Sequence, residues 1–431
     1  MPNFYLSLGD FADYDYQLKM KSYFLTELKY QLRGLWKKWA KLLVQGLMAL
    51  AISIATLFLW QNNIGQRLDL WILKNFFAFR GPITPPEQVM LVALDDVTYQ
   101  KLDLSTRLPF PRKYFAEALE QMVAAGPKAI IIDARLPKEQ QDEAAEARIE
   151  AALRAGPTTI WNGQIPKGSF KYLTSEGDNT FFSQPSDKRF RDAAKMELGM
   201  LLYPDAGMIA RVTVDAKPEA DFYSRVPLAR PLVELAKMDI KTPGPRDLIN
   251  YYGDSGAINR IGLYQLFGEE APATREKLKD KIILFGYQSI GRGRGQMDKD
   301  ELLVPLSSGQ MFGVEIHANI AGNLIEGSWI KRTEVMNEVT AIYLIALLLA
   351  VAGIALTPEK ALPLIILILS ALVLASYQSF LRFKFWIPGV GVLMLSGAII
   401  LLGSALYHYV LIKSFKKYIQ KTFKFDIERE M

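Results

Sequence analysis

Four stretches of the chain carry no charged residue for the length of a membrane crossing. Between the first and second of them the pattern changes to that of a water-soluble domain. Residues 42–60, 339–356, 361–380 and 387–410 are the four apolar runs. Each is long enough to cross a hydrocarbon core of roughly 30 Å as a helix. Lipid tolerates no unpaired backbone, so helices are predicted for all four. The first run is not expected to be a cleaved leader: some 40 residues precede it, and Gln61-Asn62-Asn63 follows it where a small-residue cleavage site would stand. The last run closes on Tyr407, His408 and Tyr409, which suits an interfacial belt. The short links among the last three runs predict antiparallel neighbours.

Lysine and arginine near the ends of the spans predict their direction. Lys29, Arg33, Lys37, Lys38 and Lys41 precede the first run, and Lys413, Lys416, Lys417, Lys421 and Lys424 follow the last. An even number of crossings puts both basic ends on one side, predicted to be the cytoplasm, against an anionic inner leaflet. Arg382 and Lys384 in the turn before the last run, and Lys331 and Arg332 before the second, are bases on the opposite side. The expected layout is a cytoplasmic segment 1–41, a span 42–60, an extracytoplasmic domain 61–332, three spans, and a basic cytoplasmic tail 411–431, in the cell's inner (plasma) membrane. Within the first segment, Tyr23, Phe24, Leu28, Leu32, Leu35 and Trp36 recur at helical spacing. They read either as an amphipathic surface helix or as an extension of the first span.

The middle of the chain alternates strand and helix signals. Residues 89–94 form an apolar run that ends in Asp95-Asp96, and 112–125 read as a helix with Phe115, Leu119 and Met122 on one face. Residues 129–133 form a second buried strand, 139–155 a charged helix and 158–164 a third strand. Short apolar strands separated by helices predict a mostly parallel sheet with helices on both faces. Pro204-Asp205-Ala206-Gly207 between two apolar stretches predicts a hairpin over 198–214. Further expected elements are a helix at 227–238, strands at 247–253 and 281–287, and a helix at 315–325 leading toward the second span. Residues 167–187 are the least regular by composition.

The same residues, taken in order, resemble a known family. After the strand ending in Asp95-Asp96 come Pro109-Phe110-Pro111-Arg112, Ala125-Gly126-Pro127-Lys128-Ala129 and the strand ending in Asp133. Asn250-Tyr251-Tyr252-Gly253, then 278–286 ending in Gly286, then Gly313-Val314-Glu315-Ile316-His317-Ala318-Asn319 follow. This series, over about residues 60–332, resembles the CHASE2 domain, an extracytoplasmic sensory module of bacterial receptors, and the last motif is its most specific part. One span before the domain and three after it also match. The resemblance implies a nucleotide cyclase or a protein kinase after the spans. Here about 20 residues follow the last run. Ser414-Phe415-Lys416-Lys417-Tyr418 is similar to the start of the linker that precedes a cyclase. No kinase loop, phosphoacceptor helix, or EAL or GGDEF motif is present, so no output domain and no enzyme activity are expected of this sequence.

Composition narrows the chemistry further. The chain of 431 residues has no cysteine, which excludes disulfides, thiolate metal sites and thiol catalysis and suits an oxidising compartment. Its net charge of +6 is concentrated beside apolar runs, which points to a membrane surface rather than to nucleic acid. Neither a cofactor nor a metal is expected.

Open α/β sheets bind ligands beyond the carboxyl ends of their strands. Asp95, Asp96, Asp133 and Gly286 fall at such ends, Arg112 opens the helix beside them, and Glu315 and His317 belong to the last motif. These seven are the candidate ligand-binding residues. A carboxylate cluster could hold a cation, or could orient a polar ligand together with Arg112. The plainer reading is structural: Asp95 or Asp96 as a cap, Asp133 as a strut to Arg112 or Lys128, and His317 as a core histidine. Gly291-Arg292-Gly293-Arg294-Gly295 resembles a phosphate loop but lacks the spacing of one, and reads as a solvated loop. The expected function is a membrane sensor or interaction protein acting through partners, with a scaffold subunit of a membrane complex as the alternative. Lipids, a homo-oligomer or a membrane complex, and a small ligand are the expected partners.

Overall fold

The computed structural model describes residues 36, 38–105, 110–134, 136, 142–157, 159–162, 188–194, 196–198, 202–205, 208–212, 241, 243–244, 246–288 and 301–423. The expected amphipathic segment before Trp36, the helix at 227–238, the irregular stretch 167–187 and the glycine–arginine loop at 291–295 lie outside the described residues. The chain divides into two compact units: residues 62–338 with 373–391, and residues 1–61 with 339–372 and 392–431.

The first unit is built on a six-stranded sheet. Its strands are β1 (Val89–Asp95), β2 (Ala129–Asp133), β3 (Thr159–Asn162), β4 (Met196–Leu198), β7 (Arg260–Gly262) and β8 (Ile282–Gln288). Their order across the sheet is β4-β3-β2-β8-β1-β7, and every pairing is parallel. Two antiparallel hairpins stand apart from it, β5 (Leu202–Asp205) with β6 (Met208–Val212), and β9 (Glu301–Leu303) with β10 (Gln310–Phe312). The first is the hairpin expected from its turn residues. The second, and the short strand β7, carry too little apolar pattern to be read in advance.

Strands buried on both faces need cover on both. Val92, Leu94, Ile130, Ile132, Ile283 and Phe285 point to one side, into a core with α4 (Arg112–Ala124), α5 (Glu143–Ala155), α6 (Lys188–Ala193) and the end of α7 (Ala271–Leu278). The short α3 (Asp96–Lys101) precedes α4 and adds Tyr99 to that core. The alternate positions face α8 (Gly313–Glu326). Gly286 permits the close approach of α8, because a Cβ there would lie 2.7 Å from the Asp133 carbonyl oxygen and 2.8 Å from Val314 Cβ.

Helix α8 is buried on every side from residue 313 to 324. Opposite the sheet it meets the segment 248–256. The sequence predicts a strand at 247–253, but this segment joins no sheet. Its backbone is hydrogen-bonded piecemeal and ends in a turn at 253–256: Leu248 exchanges two bonds with Ile330, Ile249 N–H donates to the Ala210 carbonyl (2.8 Å), and the Tyr252 carbonyl accepts from Ile83 N–H (2.7 Å). Side chains of α8 take the Asn250 N–H and carbonyl and the N–H groups of Tyr252 and Gly256. The apolar pattern marked burial correctly, but side-chain amides stand where a neighbouring strand was expected.

Helix α2 (Asn63–Arg80) had no counterpart in the sequence reading. Its signal was present in Leu70, Leu73 and Phe77, which recur at i, i+3 and i+7 and are buried. Phe76 packs on Tyr377, Phe380 and Trp386 with ring centroids 5.1, 5.8 and 5.6 Å apart. Arg80 closes the helix: its guanidinium donates to Asn250 Oδ1 (2.5 Å) and to the Tyr251 carbonyl, and lies over the Phe77 ring at 4.9 Å. Burial pushes Arg80 down to about 10. Asp69 of α2 accepts the Gly389 N–H with both carboxylate oxygens (2.8 and 3.0 Å), immediately before α11 (Val390–Phe423).

Among the described residues, four helices are long and apolar enough to cross a membrane: α1 (Lys38–Gln61), α9 (Val335–Ala355), α10 (Pro358–Phe383) and, within α11, Val390–Ile419. In the second unit small residues bring these helices together. A Cβ on Gly353 would fall 2.1 Å from Ile400, and one on Gly397 2.8 Å from Leu369. Thr56 and Ser396 share a buried hydrogen bond of 3.0 Å between α1 and α11. The last helix continues well beyond the predicted end at residue 410, to Phe423, and spans about 50 Å at 1.5 Å per residue. Charged residues end a hydrophobic run but not a helix, which is why the run was too short a guide.

Candidate functional site

Helices leave the sheet toward opposite faces at the carboxyl ends of its middle strands. After β1 and β2 the chain turns to α4 and α5 on one face, while α8 covers the other. A crevice for ligands arises where such connections diverge. Asp133 at the end of β2 is in register with Gly286 of β8, and Asp95 at the end of β1 is in register with Gln288. The start of α8 lies over these ends.

Two of the three carboxylates at the strand ends have defined local work. Asp95 is the N-cap of α3, its Oδ1 accepting from Thr98 N–H (2.9 Å) and Thr98 Oγ1–H (2.8 Å). That satisfies an otherwise orphaned helix donor. Asp96 sits in the first helical turn, where its charge suits the positive end of the helix. Asp133 lies 3.8 Å from His317 Nε2, measured from Oδ2.

Arg112 does not reach across to this edge as a ligand-orienting group. It is buried, and its Nη1 binds Glu146 Oε1 in the first turn of α5. Arg189 approaches the same carboxylate at 3.6 Å. Removing either partner of such a pair would leave an uncompensated buried charge. The pair therefore ties α4 to α5. Glu146 could not be foreseen as the partner, because it shares the charged face of α5 with Glu143, Glu150 and Arg154, and nothing local sets it apart.

Glu315 and His317, two residues apart on α8, point to different neighbours. Glu315 is fully buried and accepts three hydrogen bonds, from Ser255 Oγ–H (2.7 Å), Gly256 N–H (2.5 Å) and Gln288 Nε2–H (3.1 Å). Burial raises its carboxyl above the usual range, while Ser255, Gly256 and the positive charge of Arg260 pull it back. Asn319 and Asn323 continue this row at i+4 and i+8. Asn319 Oδ1 accepts from Tyr252 N–H (2.9 Å). Asn323 Oδ1 accepts from Asn250 N–H (2.7 Å), and its Nδ2 donates to the Asn250 carbonyl (3.0 Å). The residue pattern Asn-Tyr-Tyr-Gly and the motif around His317 are thus two halves of one contact.

His317 turns instead toward β2. It is buried, and its Nδ1 has no hydrogen-bond partner. Gln288 is also buried, and its Oε1 likewise has none. Buried polar atoms are nearly always paired, so two orphans on this edge of the sheet are notable. Gln288 was not among the residues singled out from the sequence. Nothing in an apolar strand ending in Tyr-Gln marks the last residue as a site. Among the described residues no group of three His, Asp or Glu side chains is arranged to hold a metal ion. Of the seven candidates, the structure brings Asp133, Gly286, Glu315 and His317 together around the start of α8. It assigns Asp95 to a cap and Arg112 to an ion pair with α5.

An α/β domain built on a parallel sheet, in a chain with four apolar helices and with a buried helix bearing polar side chains at the carboxyl ends of the strands, defines the class of protein. The chain belongs to the CHASE2 domain family, whose profile matches residues 48–355, more than half of its length. That match reaches into α1 and through α9, beyond the stretch 60–332 over which the motifs were recognised. CHASE2 is a sensory domain family. No curated protein and no solved structure matches the chain.

Burial holds the His317 imidazole below its usual value, and the nearby Asp133 carboxylate opposes this more weakly. The native ring therefore resists a proton that the unfolded chain accepts below about pH 6.5. Stability should be full above that value and fall as pH drops through the interval beneath it. Thermal unfolding of the detergent-solubilised chain between about pH 5 and 8 should show this slope, and His317→Asn should flatten it. The only other histidine, His408, lies in α11 and remains as an internal control. An unchanged slope in the variant would contradict this role.

Proposed function

We propose that the chain is the sensory part of a membrane receptor. Its α/β domain stands outside the cytoplasm, takes a small polar ligand at the carboxyl edge of the sheet, and acts on partner proteins through the helices that cross the bilayer. The observation that carries this reading is the pair of orphaned buried atoms, His317 Nδ1 and Gln288 Oε1, at the edge where parallel sheets hold their ligands. A ligand with its own donor and acceptor would supply what they lack. Membership in a sensory family supports the same reading.

The route out of the domain consists of contacts inside the unit that holds the sheet. Glu338, in the first turn of α9, receives Arg332 (3.0 Å) and Arg246 (2.5 Å). Lys331 N–H donates to the Lys384 carbonyl (2.7 Å) in the turn after α10, and Asp69 holds the start of α11. A ligand that shifts segment 250–256 or α8 would bear on the ends of all three helices. It can do so only through different affinities for two arrangements of the domain.

The bases also favour an outside domain. Lys331 is bound by Asp247 (2.5 Å), and Arg246 and Arg332 share Glu338, so two carboxylates offset most of these three positive charges near the domain ends of the helices. Lys413, Lys416 and Lys417 at the far end of α11 stand exposed. The exposed lysines at that end favour the cytoplasm there, against the exposed Lys331, Arg382 and Lys384 at the domain end, of which Lys331 is paired with Asp247.

Because the chain has no cysteine, single cysteines report topology directly. In intact cells a membrane-impermeant maleimide should label Glu269→Cys, on the domain surface, and spare Ser414→Cys, near the end of α11. The reverse pattern would overturn the orientation. Sensing has its own test. Among amino acids, dicarboxylates, sugars and nucleotides, at least one should raise the unfolding temperature of the full chain, and the increment should vanish in His317→Ala and Gln288→Leu. At a hundred times its dissociation constant a ligand stabilises by about 2.7 kcal/mol. A panel without effect, or a shift that survives both substitutions, would contradict the proposed site.

A further inference from the structure

Helix α2 has two faces, and only one of them is accounted for by the domain. Leu70, Ile72, Leu73, Phe76 and Phe77 are buried. On the other side Ile64, Trp71 and Phe79 stand 56%, 56% and 75% exposed. At 100° per residue Ile64 and Trp71 lie within about 20° of each other, and Phe79 falls about 60° from Ile64. They form an apolar stripe along the helix. Arg67 and Lys74, one heptad apart, run along one border of it.

The structure also indicates what lies against this stripe. Helix α2 starts two residues after the end of α1, a candidate span. Its Phe76 and Phe77 pack on Tyr377 and Phe380, in the last two turns of the candidate span α10, and Phe79 reaches Tyr377 at 6.3 Å. Phe383, the last residue of α10, is itself 74% exposed. Aromatic residues gather where a span leaves the hydrocarbon, at headgroup level. A helix fixed to that level, with large apolar side chains outward and basic residues beside them, has the form of an interfacial amphipathic helix. The charges at Arg67, Asp69, Lys74 and Arg80 exclude a fifth crossing.

We infer that α2 lies in the membrane surface, with Ile64, Trp71 and Phe79 sunk into the boundary between headgroups and acyl chains and Arg67 and Lys74 beside lipid phosphates. Lipid is thereby a direct contact of the sensory domain. Through Asp69 at Gly389 and Arg80 at Asn250, the same helix touches both the start of α11 and the segment that α8 holds. This inference does not require a ligand site on the sheet.

Spin labels on single cysteines at positions 64 and 71 test it, with Glu269→Cys as the aqueous reference, in the full chain reconstituted in phosphatidylcholine–phosphatidylglycerol vesicles. Labels at 64 and 71 should collide more with oxygen than with a water-soluble nickel chelate, at a shallow depth, while the label at 269 shows the opposite preference. Nickel-dominated accessibility at both 64 and 71 would overturn the inference. So would dipolar broadening between labels of two chains, because that would make the stripe a contact between copies. Ile64 lies at the open end of the helix, so Ile64→Cys keeps the test valid even if Trp71→Cys disturbs packing.

Discussion

One row of polar side chains on a buried helix holds the sensory domain together. Glu315, Asn319 and Asn323 lie four residues apart on α8, and all three are buried. They face a segment that belongs to no sheet. Asn323 meets both the N–H and the carbonyl of Asn250, much as a neighbouring strand would, and Asn319 and Glu315 take the N–H groups of Tyr252 and Gly256. An unpaired buried peptide group costs on the order of 1–3 kcal/mol, so three such positions are a large fraction of a domain's stability. The other side of α8 is fixed by Gly286, where sheet and helix come too close for any side chain. The helix can neither rotate nor slide without breaking one contact or the other.

That constraint reaches the membrane helices through short steps. Segment 248–256 is bonded to Arg80 at the end of α2, and Leu248 to Ile330 just before α9. Helix α2 in turn caps the start of α11 with Asp69. A disturbance of α8 would therefore reach the ends of the spans through only a few bonds. In the sensor proposed above, this specific polar contact would couple a bound ligand to the ends of the membrane helices.

Much of this was legible in the sequence, for reasons that also explain what was not. Long uncharged runs give spans because the solvent sets their length. The strands β1, β2 and β8 were visible because parallel strands buried on both faces are continuously apolar. Segment 248–256 was misread by the same logic: Leu248, Ile249, Tyr251 and Tyr252 are as buried as a strand, but Leu248 bonds to Ile330 and Ile249 to Ala210, while Asn250 and Tyr252 bond to the side chains of Asn323 and Asn319, some 70 residues away. Helix α2 was passed over because it follows a span directly and mixes apolar and basic residues. Within the candidate site, Asp95 proved to be a cap, as its position at a strand–helix junction allowed. Glu146 and Gln288, the partners of Arg112 and Glu315, carry no local signal, since only the tertiary fold brings them near.

The most direct test of the claim that α8 holds the neighbouring segment by its asparagines is hydrogen exchange at the amides of Asn250 and Tyr252. In the full chain these amides should be strongly protected. Asn323→Leu should expose Asn250, and Asn319→Leu should expose Tyr252, each by a factor corresponding to about 1–3 kcal/mol, while the amides of β1 and β8 keep their protection. Protection at 250 and 252 that survives both substitutions would mean that something other than this polar row holds the domain together.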